Sequence, residues 1–332
     1  MNRRKVFGTT LGALGGVGLI KTQAPPSWLA RDQRPPMSRV AILNANRYSD
    51  GLDSILHDGL KLFGFALYGK TVLLKPNLVE YIPGAEINTN PWLVGAAAEA
   101  FLRLGARKVF VGEGPGHQRD TELVLAESGM ERQLIDRKIK FLDLNRDDLI
   151  PVRTGSSYTS FGSLWLPRSV IAADFVVSMP KVKTHHWTGV TLSMKNMFGV
   201  IPGAAYGWPK NALHWQGIER SILDICSTIR PHFVIADGII AMEGNGPLHG
   251  RPRKLGKVVL ADDPVAADFT CSRLMGLLPD RIYHLSEAAK FTGNGAPDKI
   301  RQLGEGLDQH SPFVVLPGFK HLLCGSPAPA PR

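Results

Sequence analysis

One segment of the chain concentrates groups that can bind an anion. Residues 179–203, MPKVKTHHWTGVTLSMKNMFGVIPG, carry three lysines and two adjacent histidines among apolar residues: Lys181, Lys183, Lys195, His185 and His186. Lys75, which is followed by Pro76, has a similar apolar and rigid setting. A lysine in the wall of a cleft costs free energy unless an anionic group meets it. These lysines therefore predict a site for a carboxylate, a phosphate or an acidic side chain.

Acidic residues elsewhere in the chain could be the partners of these lysines. The candidates are Glu113, Asp237, Glu243 and Asp262. If they neutralise every lysine, the cluster is a structural ion network that binds nothing. If they do not, the cluster is a ligand site.

The histidines could transfer protons or bind a metal. His185, with Glu113 or Glu243, is the candidate for proton transfer. Adjacent histidines in a strand point to opposite faces, so at most one of His185 and His186 is expected in the cleft. A hydrogen-bonded or titrating histidine is favoured over a metal ligand, because no H-E-x-x-H spacing occurs. A divalent metal held by carboxylates or histidines is the alternative. Its candidate ligands are Asp237, Glu243 and Asp262. Further possible donors are His117, His185, His186, His214 and Glu113.

Several other chemistries lack their motifs. The glycine-rich run at 112–117, GEGPGH, has neither the Walker spacing nor the G-x-G-x-x-G fingerprint, and no G-x-S-x-G elbow is present. The three cysteines, Cys226, Cys271 and Cys324, are far apart in the sequence and too few to ligate an iron–sulfur cluster, so no such cluster is expected. Cys226 is expected in the core.

Seven short apolar runs indicate strands, with helical stretches between them. They are residues 39–43, 71–74, 108–111, 140–144, 174–179, 232–236 and 257–261. Most are continuously apolar, which is typical of strands that helices cover on both faces. We therefore predict an α/β fold with a mainly parallel central sheet flanked by helices on both faces. Helices are predicted at 91–104, 214–230 and from 264 to about 277.

Five of these strands are followed by polar or charged residues. The exits begin at Lys75, Gly112, Pro180, Asp237 and Asp262. Carboxyl ends of parallel strands meet at one edge of an open sheet, where ligands bind. The five exits are therefore expected to converge there as one ligand site.

The two ends of the chain have a different composition from its body. Arg3 and Arg4 precede a short glycine-rich apolar stretch, which predicts a twin-arginine signal peptide over 1–24. Such a signal implies the twin-arginine machinery as a partner and export to the periplasm or cell envelope, with an uncleaved membrane anchor as the alternative. We predict a proline-rich linker over 25–38, one α/β domain over 39–320 that could have two lobes, and a flexible tail over 321–332.

The net charge fits a small acidic partner better than a nucleic acid. The formal charge is +10, and it falls to +6 without the four basic residues of the leader. No nucleic-acid-binding motif or basic helical stripe accompanies this excess. A small anionic ligand is the expected partner.

Five stretches together resemble a known family. They are LLKPNLV at 73–79, SMPKVKTH at 178–185, VTLSMKNMFGVIPG at 190–203, DGIIAMEGNGP at 237–247 and ADDPVAAD at 261–268. In this order they resemble the bacterial and archaeal domain-of-unknown-function family DUF362, over residues 40–275. The resemblance implies an α/β fold and no established activity. The shared stretches contain the substrate-binding candidates of the site: Lys75, Asn77, Lys181, Lys183, Thr184, Lys195 and Asn196.

Three functions remain open from the sequence. The first is an enzyme acting on a small carboxylate or phosphate, and the second is a binding protein for such an anion. The third is a redox role like that of family members with an appended ferredoxin-like segment. The cysteine content argues against the third function for this chain.

Overall fold

The computed structural model describes residues 32–49, 51–116, 120–307 and 312–327. All seven apolar runs predicted as strands are strands in the structure. The twelve described strands are β1 (Ser38–Asn44), β2 (Thr71–Pro76), β3 (Lys108–Glu113), β4 (Lys140–Asp143), β5 (Leu149–Arg153), β6 (Ser163–Pro167), β7 (Phe175–Met179), β8 (Lys181–His185), β9 (Gly189–Thr191), β10 (Phe233–Asn245), β11 (His249–Ala261) and β12 (Ile300–Gly304).

Ten of these strands form one sheet. Its order is β12-β1-β11-β10-β7-β2-β3-β4, with β8 paired to β10 and β9 paired to β8. The run β10-β7-β2-β3-β4 is parallel throughout, and β12 is parallel to β1. Only β11, between β1 and β10, runs against its neighbours on this path. The predicted α/β fold with a mainly parallel sheet is confirmed.

Eleven α-helices connect the described strands. They are α1 (Leu52–Lys61), α2 (Pro91–Arg103), α3 (Thr121–Glu127), α4 (Met130–Asp136), α5 (Arg168–Ala172), α6 (Ser193–Asn196), α7 (Gly203–Tyr206), α8 (Asn211–Trp215), α9 (Ile218–Ile229), α10 (Pro264–Leu274) and α11 (Tyr283–Ala288). Asn90 caps α2 and Asp263 caps α10, each followed by proline as the sequence indicates. The single helix predicted at 214–230 is instead the pair α8 and α9, because Gly217 between them has a positive φ of 93°.

Helices cover both faces of the sheet. Along β2, Val72 and Leu74 belong to one hydrophobic core, and Leu73 belongs to the other. The first core includes buried residues of α1 to α4, and the second includes those of α6, α9, α10 and α11. Cys226 is buried in the second core, as expected. This arrangement explains the continuously apolar strands, since both sides of each strand are packed.

The hairpin formed by β10 and β11 differs from the prediction. The strand was expected to end at residue 236, with Asp237 at its exit, but β10 continues to Asn245. The chain then reverses into β11, which is antiparallel to β10, so β11 ends at the opposite edge of the sheet. Asp262 follows β11 there and pairs with Arg39 at the start of β1, the Nε–Oδ2 distance being 2.7 Å. The five strand exits therefore do not share one edge.

The predicted signal peptide and the first half of the predicted linker, residues 25–31, lie outside the described residues. No helix within the described ranges is long and apolar enough to span a membrane. Near the end of the chain, Leu322 is buried and Leu323 forms a β-bridge with Leu277. Packed structure thus continues into the segment that the sequence assigned to the tail.

Candidate functional site

A pocket of about 230 Å³ lies at the carboxyl ends of β2, β3 and β8. Buried polar residues form its interior, and partly exposed apolar and aromatic residues such as Trp187 and Leu248 form its rim. It contains seven of the predicted site residues: Lys75, Asn77, Glu113, Lys183, His185, Lys195 and Asn196. The prediction that separate stretches of sequence meet at this edge is correct for these seven.

Lys75 is neutralised inside the protein. Its Nζ lies 2.5 Å from Glu113 Oε2 and also donates to Asn196 Oδ1 and the Pro76 carbonyl, both at 2.9 Å. Glu113 further accepts hydrogen bonds from the backbone N–H groups of Leu78 and Gly114. Burial lowers the pKa of Lys75 and the Glu113 charge opposes that shift. This part of the cluster is a satisfied ion network.

Three other lysines of the pocket form no ion pair with a described carboxylate. Lys183 donates to the carbonyls of Ile87 at 2.7 Å and Pro247 at 3.4 Å. Lys210 donates to the carbonyls of Gly114 at 3.0 Å and Phe198 at 3.1 Å. Lys195 lies with its Nζ 4.4 Å from the centre of the Phe198 ring. The pocket thus has an excess of cationic groups.

The surroundings of these lysines oppose their positive charge. Burial lowers the pKa of Lys183 well below its ordinary value, and the nearby lysines lower it further. Burial, together with Lys75, lowers the pKa of Lys195 to about 8. Burial also lowers the pKa of Lys210 to about 7, against the attraction of Glu113. A bound anion would restore the charged form of all three.

The two adjacent histidines both line the pocket, contrary to the expectation that only one would. The strand β8 ends at His185, so the alternation of side chains between the two faces of a strand does not apply to His186. The two rings stack with centres 4.9 Å apart. His185 Nδ1 accepts the backbone N–H groups of Trp187 at 3.0 Å and Thr188 at 3.3 Å. The proton of neutral His185 is therefore on Nε2, and burial lowers its pKa and keeps the ring neutral.

His186 has the opposite tautomer. Its Nδ1 lies 2.8 Å from the Gly246 carbonyl, which can only accept a hydrogen bond. When His186 is neutral, its proton is on Nδ1 and Nε2 is free to accept. The proton acceptor of the pair is therefore His186, and His185 is a hydrogen-bond donor. The role of His185 in proton transfer stays a prediction, and His186 joins it as a second candidate.

Two buried polar atoms of the pocket lack a partner among the described residues. They are Asn77 Oδ1 and Thr191 Oγ1, on residues that are 7% and 4% exposed. Buried polar side chains are nearly always hydrogen-bonded in folded proteins. These two atoms are thus available to a ligand or an ordered water.

Lys181 and Asp237 form a separate ion network away from the pocket. Lys181 Nζ lies 3.0 Å from Glu86 Oε2 and 3.3 Å from Asp237 Oδ2. Asp237 also accepts from the Tyr48 hydroxyl at 2.7 Å and the backbone N–H of Asn90 at 2.9 Å. Because their charges are already paired, these residues hold β8 and β10 to the segments around Tyr48 and Asn90. The ligand-binding role predicted for Lys181 has no support in this geometry.

Three further predicted residues are also engaged elsewhere. Glu243 pairs with Arg251 at 2.9 Å and accepts the Val314 N–H, so it joins the β10–β11 hairpin to the C-terminal segment. Thr184 Oγ1 donates to the Gly244 carbonyl. Asp262 is at the opposite edge. The structure does not bring Asp237, Glu243 and Asp262 together around a metal. Within the described ranges, no cluster of three His, Cys, Asp or Glu side chains is suited to a metal. His117 lies outside those ranges.

Lys210 and the contacts that position Lys195 were not predicted from the sequence. Lys210 follows Pro209, so the criterion that singled out Lys75 applies to it as well. Lys195 lies on the four-residue helix α6, whose first two backbone N–H groups, of Ser193 and Met194, donate to Asp268 at 2.7 and 2.9 Å. Asp268 belongs to α10, 75 residues later in the chain than Ser193, and local sequence gives no signal for such a contact.

Gly199 is required where the chain approaches the Lys75–Glu113 pair. A Cβ atom added at this position would overlap with Glu113 Oε1 and Lys75 Nζ. Only glycine lets the backbone pass this close to the pair. The residue is part of the segment 190–203 that the sequence analysis quoted.

Comparison with known proteins gives a family and one curated relative. The model of the family "Domain of unknown function (DUF362)" matches residues 72–273. The chain is 32% identical over 256 residues to the thylakoid-associated protein sll1697 of Synechocystis, a match that covers 73% of this chain and 76% of the relative.

Two solved structures are similar at low sequence identity. The lactate racemase apoprotein of Thermoanaerobacterium thermosaccharolyticum matches with a TM-score of 0.47, 11% identity and 74% coverage of this chain. A crystal structure of a Thermotoga maritima protein matches with a TM-score of 0.37, 14% identity and 72% coverage. This chain spans 58% of each solved chain. The family match and the Synechocystis relative together show that the chain belongs to the DUF362 family.

Proposed function

We propose that the protein is an enzyme that acts on a small organic anion, a carboxylate or a phosphate, bound in this pocket. The observation that carries the proposal is the set of Lys183, Lys195 and Lys210, which are enclosed in one pocket without a described carboxylate partner. Burying an ammonium group without a counter-charge costs several kcal/mol, because the group loses its hydration. An anionic ligand offsets that cost.

The histidine pair supports chemistry beyond binding. His185 Nε2–H can donate to an oxygen on which negative charge develops, and His186 Nε2 can accept a proton. Donor and acceptor are stacked in fixed tautomers by the backbone, so neither must rearrange before a proton moves.

A binding protein without catalysis is the second candidate. It is favoured by one observation: both oxygens of Glu113, the pocket carboxylate, already accept hydrogen bonds. In that case the pocket would capture or deliver an acidic metabolite. The two candidates share the lysines and differ in the need for His186.

The test of the proposal is anion binding by pocket variants. Sulfate, phosphate and succinate should raise the melting temperature of the wild-type protein, because a ligand of the native state stabilises it. Lys183→Ala and Lys210→Ala should each weaken binding about ten- to hundredfold, since a charge-assisted hydrogen bond contributes about 1.5–3 kcal/mol. Isothermal titration calorimetry measures the affinities.

Lys140→Ala is the matched control, because Lys140 is an exposed lysine of β4 outside the pocket. If none of the three anions binds, or if Lys140→Ala weakens binding as much as the pocket variants do, the proposal is wrong. Once a substrate is found, His186→Ala should abolish turnover and leave anion affinity largely intact if the protein is an enzyme.

We also propose that the protein is exported by the twin-arginine route. Arg3 and Arg4 before a short apolar stretch support this. Cell fractionation should find the protein outside the cytoplasm, and Arg3→Lys combined with Arg4→Lys should retain it inside. An unchanged distribution of the double variant would refute the route.

A further inference from the structure

Lys195 differs from the other lysines of the pocket in its contacts. Lys75, Lys183 and Lys210 each donate hydrogen bonds to carboxylate, amide or carbonyl oxygens, which fix the position of Nζ. For Lys195, the described contact of Nζ is the face of the Phe198 ring, and no described oxygen accepts from it. Its three N–H positions are free to meet a ligand.

The surroundings of Lys195 also make its neutral amine more accessible than that of a free lysine. It is partly buried, it lies near the positively charged end of Lys75, and its pKa falls to about 8. A lowered pKa increases the fraction of neutral amine at a given pH, and the neutral amine is the nucleophile. Lys183 and Lys210, anchored by carbonyl oxygens, are better placed to hold a carboxylate.

We propose that Lys195 forms an imine with the carbonyl carbon of a 2-oxo acid whose carboxylate is held by Lys183 and Lys210. This inference rests on the proposed function and names its substrate class. A 2-oxo acid joins a carboxylate to an adjacent carbonyl, so one compact molecule meets both the cationic groups and the amine. A volume of about 230 Å³ suits such a ligand.

The chemical step needs no partner besides water and protons. The Nζ lone pair forms a bond to the carbonyl carbon, and the carbonyl electron pair moves to oxygen, which takes up a proton. The resulting hydroxyl group takes up a second proton, the C–O bond breaks and water leaves as the C=N bond forms; the nitrogen loses two protons in the whole sequence. His186 Nε2 is the acceptor for the nitrogen proton, and His185 Nε2–H donates to the carbonyl oxygen.

The experiment is reductive trapping on the full chain. The protein is incubated with pyruvate or glyoxylate and sodium borohydride, and intact-mass and peptide mass spectrometry locate the reduced adduct. The expected result is one adduct on the wild-type protein, mapped to Lys195. Lys195→Arg, which keeps the positive charge but cannot form an imine, should lose the adduct, and the exposed-site control Lys140→Arg should retain it.

Each other outcome overturns the inference. Adducts spread over several surface lysines, or an adduct on Lys183 or Lys210, would show that Lys195 is not the nucleophile. Absence of an adduct with both probes would also overturn it, even if pyruvate raises the melting temperature; the anion-binding proposal would then stand alone. Because mapping is done on the wild-type protein, a folding defect of Lys195→Arg does not affect the conclusion.

Discussion

At the scale of single residues, lysines that look equivalent in the sequence differ in whether they are paired with a carboxylate. Lys75 is paired with Glu113, Lys181 is paired with Asp237, and Lys183 has no described carboxylate partner. All three have apolar or rigid neighbours in the sequence, and this feature predicts a site role for each. That criterion detects burial of a lysine, but it carries no information about whether a carboxylate is also present. The carboxylates that pair with these lysines come from distant segments of the chain. Only the folded structure therefore shows which lysines belong to an ion network and which belong to a ligand site.

The role of Lys181 is tested by removing its charge. Lys181→Met should lower the free energy of unfolding by about 3–5 kcal/mol, because Asp237 is left buried without its cation. The double variant Lys181→Met, Asp237→Asn should recover much of this loss, since neither charge remains. Urea unfolding measures both. Sulfate affinity of the folded single variant should be unchanged, and a loss of affinity would return Lys181 to the ligand site.

The pocket lysines predict a pH dependence of anion binding. Lys210 and Lys195 have pKa values lowered to about 7 and about 8, so they are ammonium ions below these values and amines above them. Sulfate keeps its charge across this range and requires the ammonium forms. Its affinity should therefore be highest below pH 7 and fall through pH 7–9, by up to about tenfold per pH unit for each proton taken up.

Calorimetry between pH 6 and pH 9 follows this decline. Lys195→Arg remains charged throughout, so the part of the decline centred near pH 8 should disappear in that variant. A flat profile in the wild-type protein would show that these lysines do not meet the anion.

At the scale of secondary-structure elements, the short helix α6 depends on a residue of α10. A four-residue helix is too short to be stable alone, so its position must come from tertiary contacts. Asp268 provides them by accepting two backbone N–H groups at the start of α6. Burial raises the pKa of Asp268 to about 8, and these two hydrogen bonds act in the opposite direction.

Asp268→Asn should therefore act on the pocket from a distance. One N–H group at the start of α6 would face an amide NH₂ and lose its acceptor, which costs about 1–3 kcal/mol. We expect a lower melting temperature and weaker sulfate binding. Ser272→Ala in the same helix is the control, because Ser272 Oγ has no hydrogen-bond partner among the described residues. Sulfate binding equal in both variants would argue against a positioning role for Asp268.

At the scale of the whole molecule, the sequence predicts which segments are strands better than it predicts their directions. The run 257–261 is as apolar as the other predicted strands. An apolar run does not indicate whether a strand pairs in the parallel or the antiparallel direction. The tight hairpin after Asn245 reverses the chain and carries Asp262 to the far edge. The strand β8 was not predicted separately, because KVKTH has a single apolar residue. Its polar side chains are nevertheless buried, some of them in an ion pair and in the pocket.

This topology gives a prediction for Asp262. Its pair with Arg39 is partly exposed, with 20% and 34% of the two side chains accessible, so the pair contributes less than about 1 kcal/mol. Asp262→Asn should change the melting temperature slightly and leave sulfate affinity at the wild-type value. Weaker sulfate binding in this variant would mean that the two edges of the sheet are not independent.

The position of Trp187 at the rim has a practical consequence. Its indole is 59% exposed and packs edge-on against His214, with ring centres 5.5 Å apart, and both residues line the pocket. Indole emission depends on the polarity around the ring, so filling of the pocket should alter intrinsic fluorescence. The protein thus contains its own optical reporter, and Trp187→Phe gives the background from the remaining tryptophans.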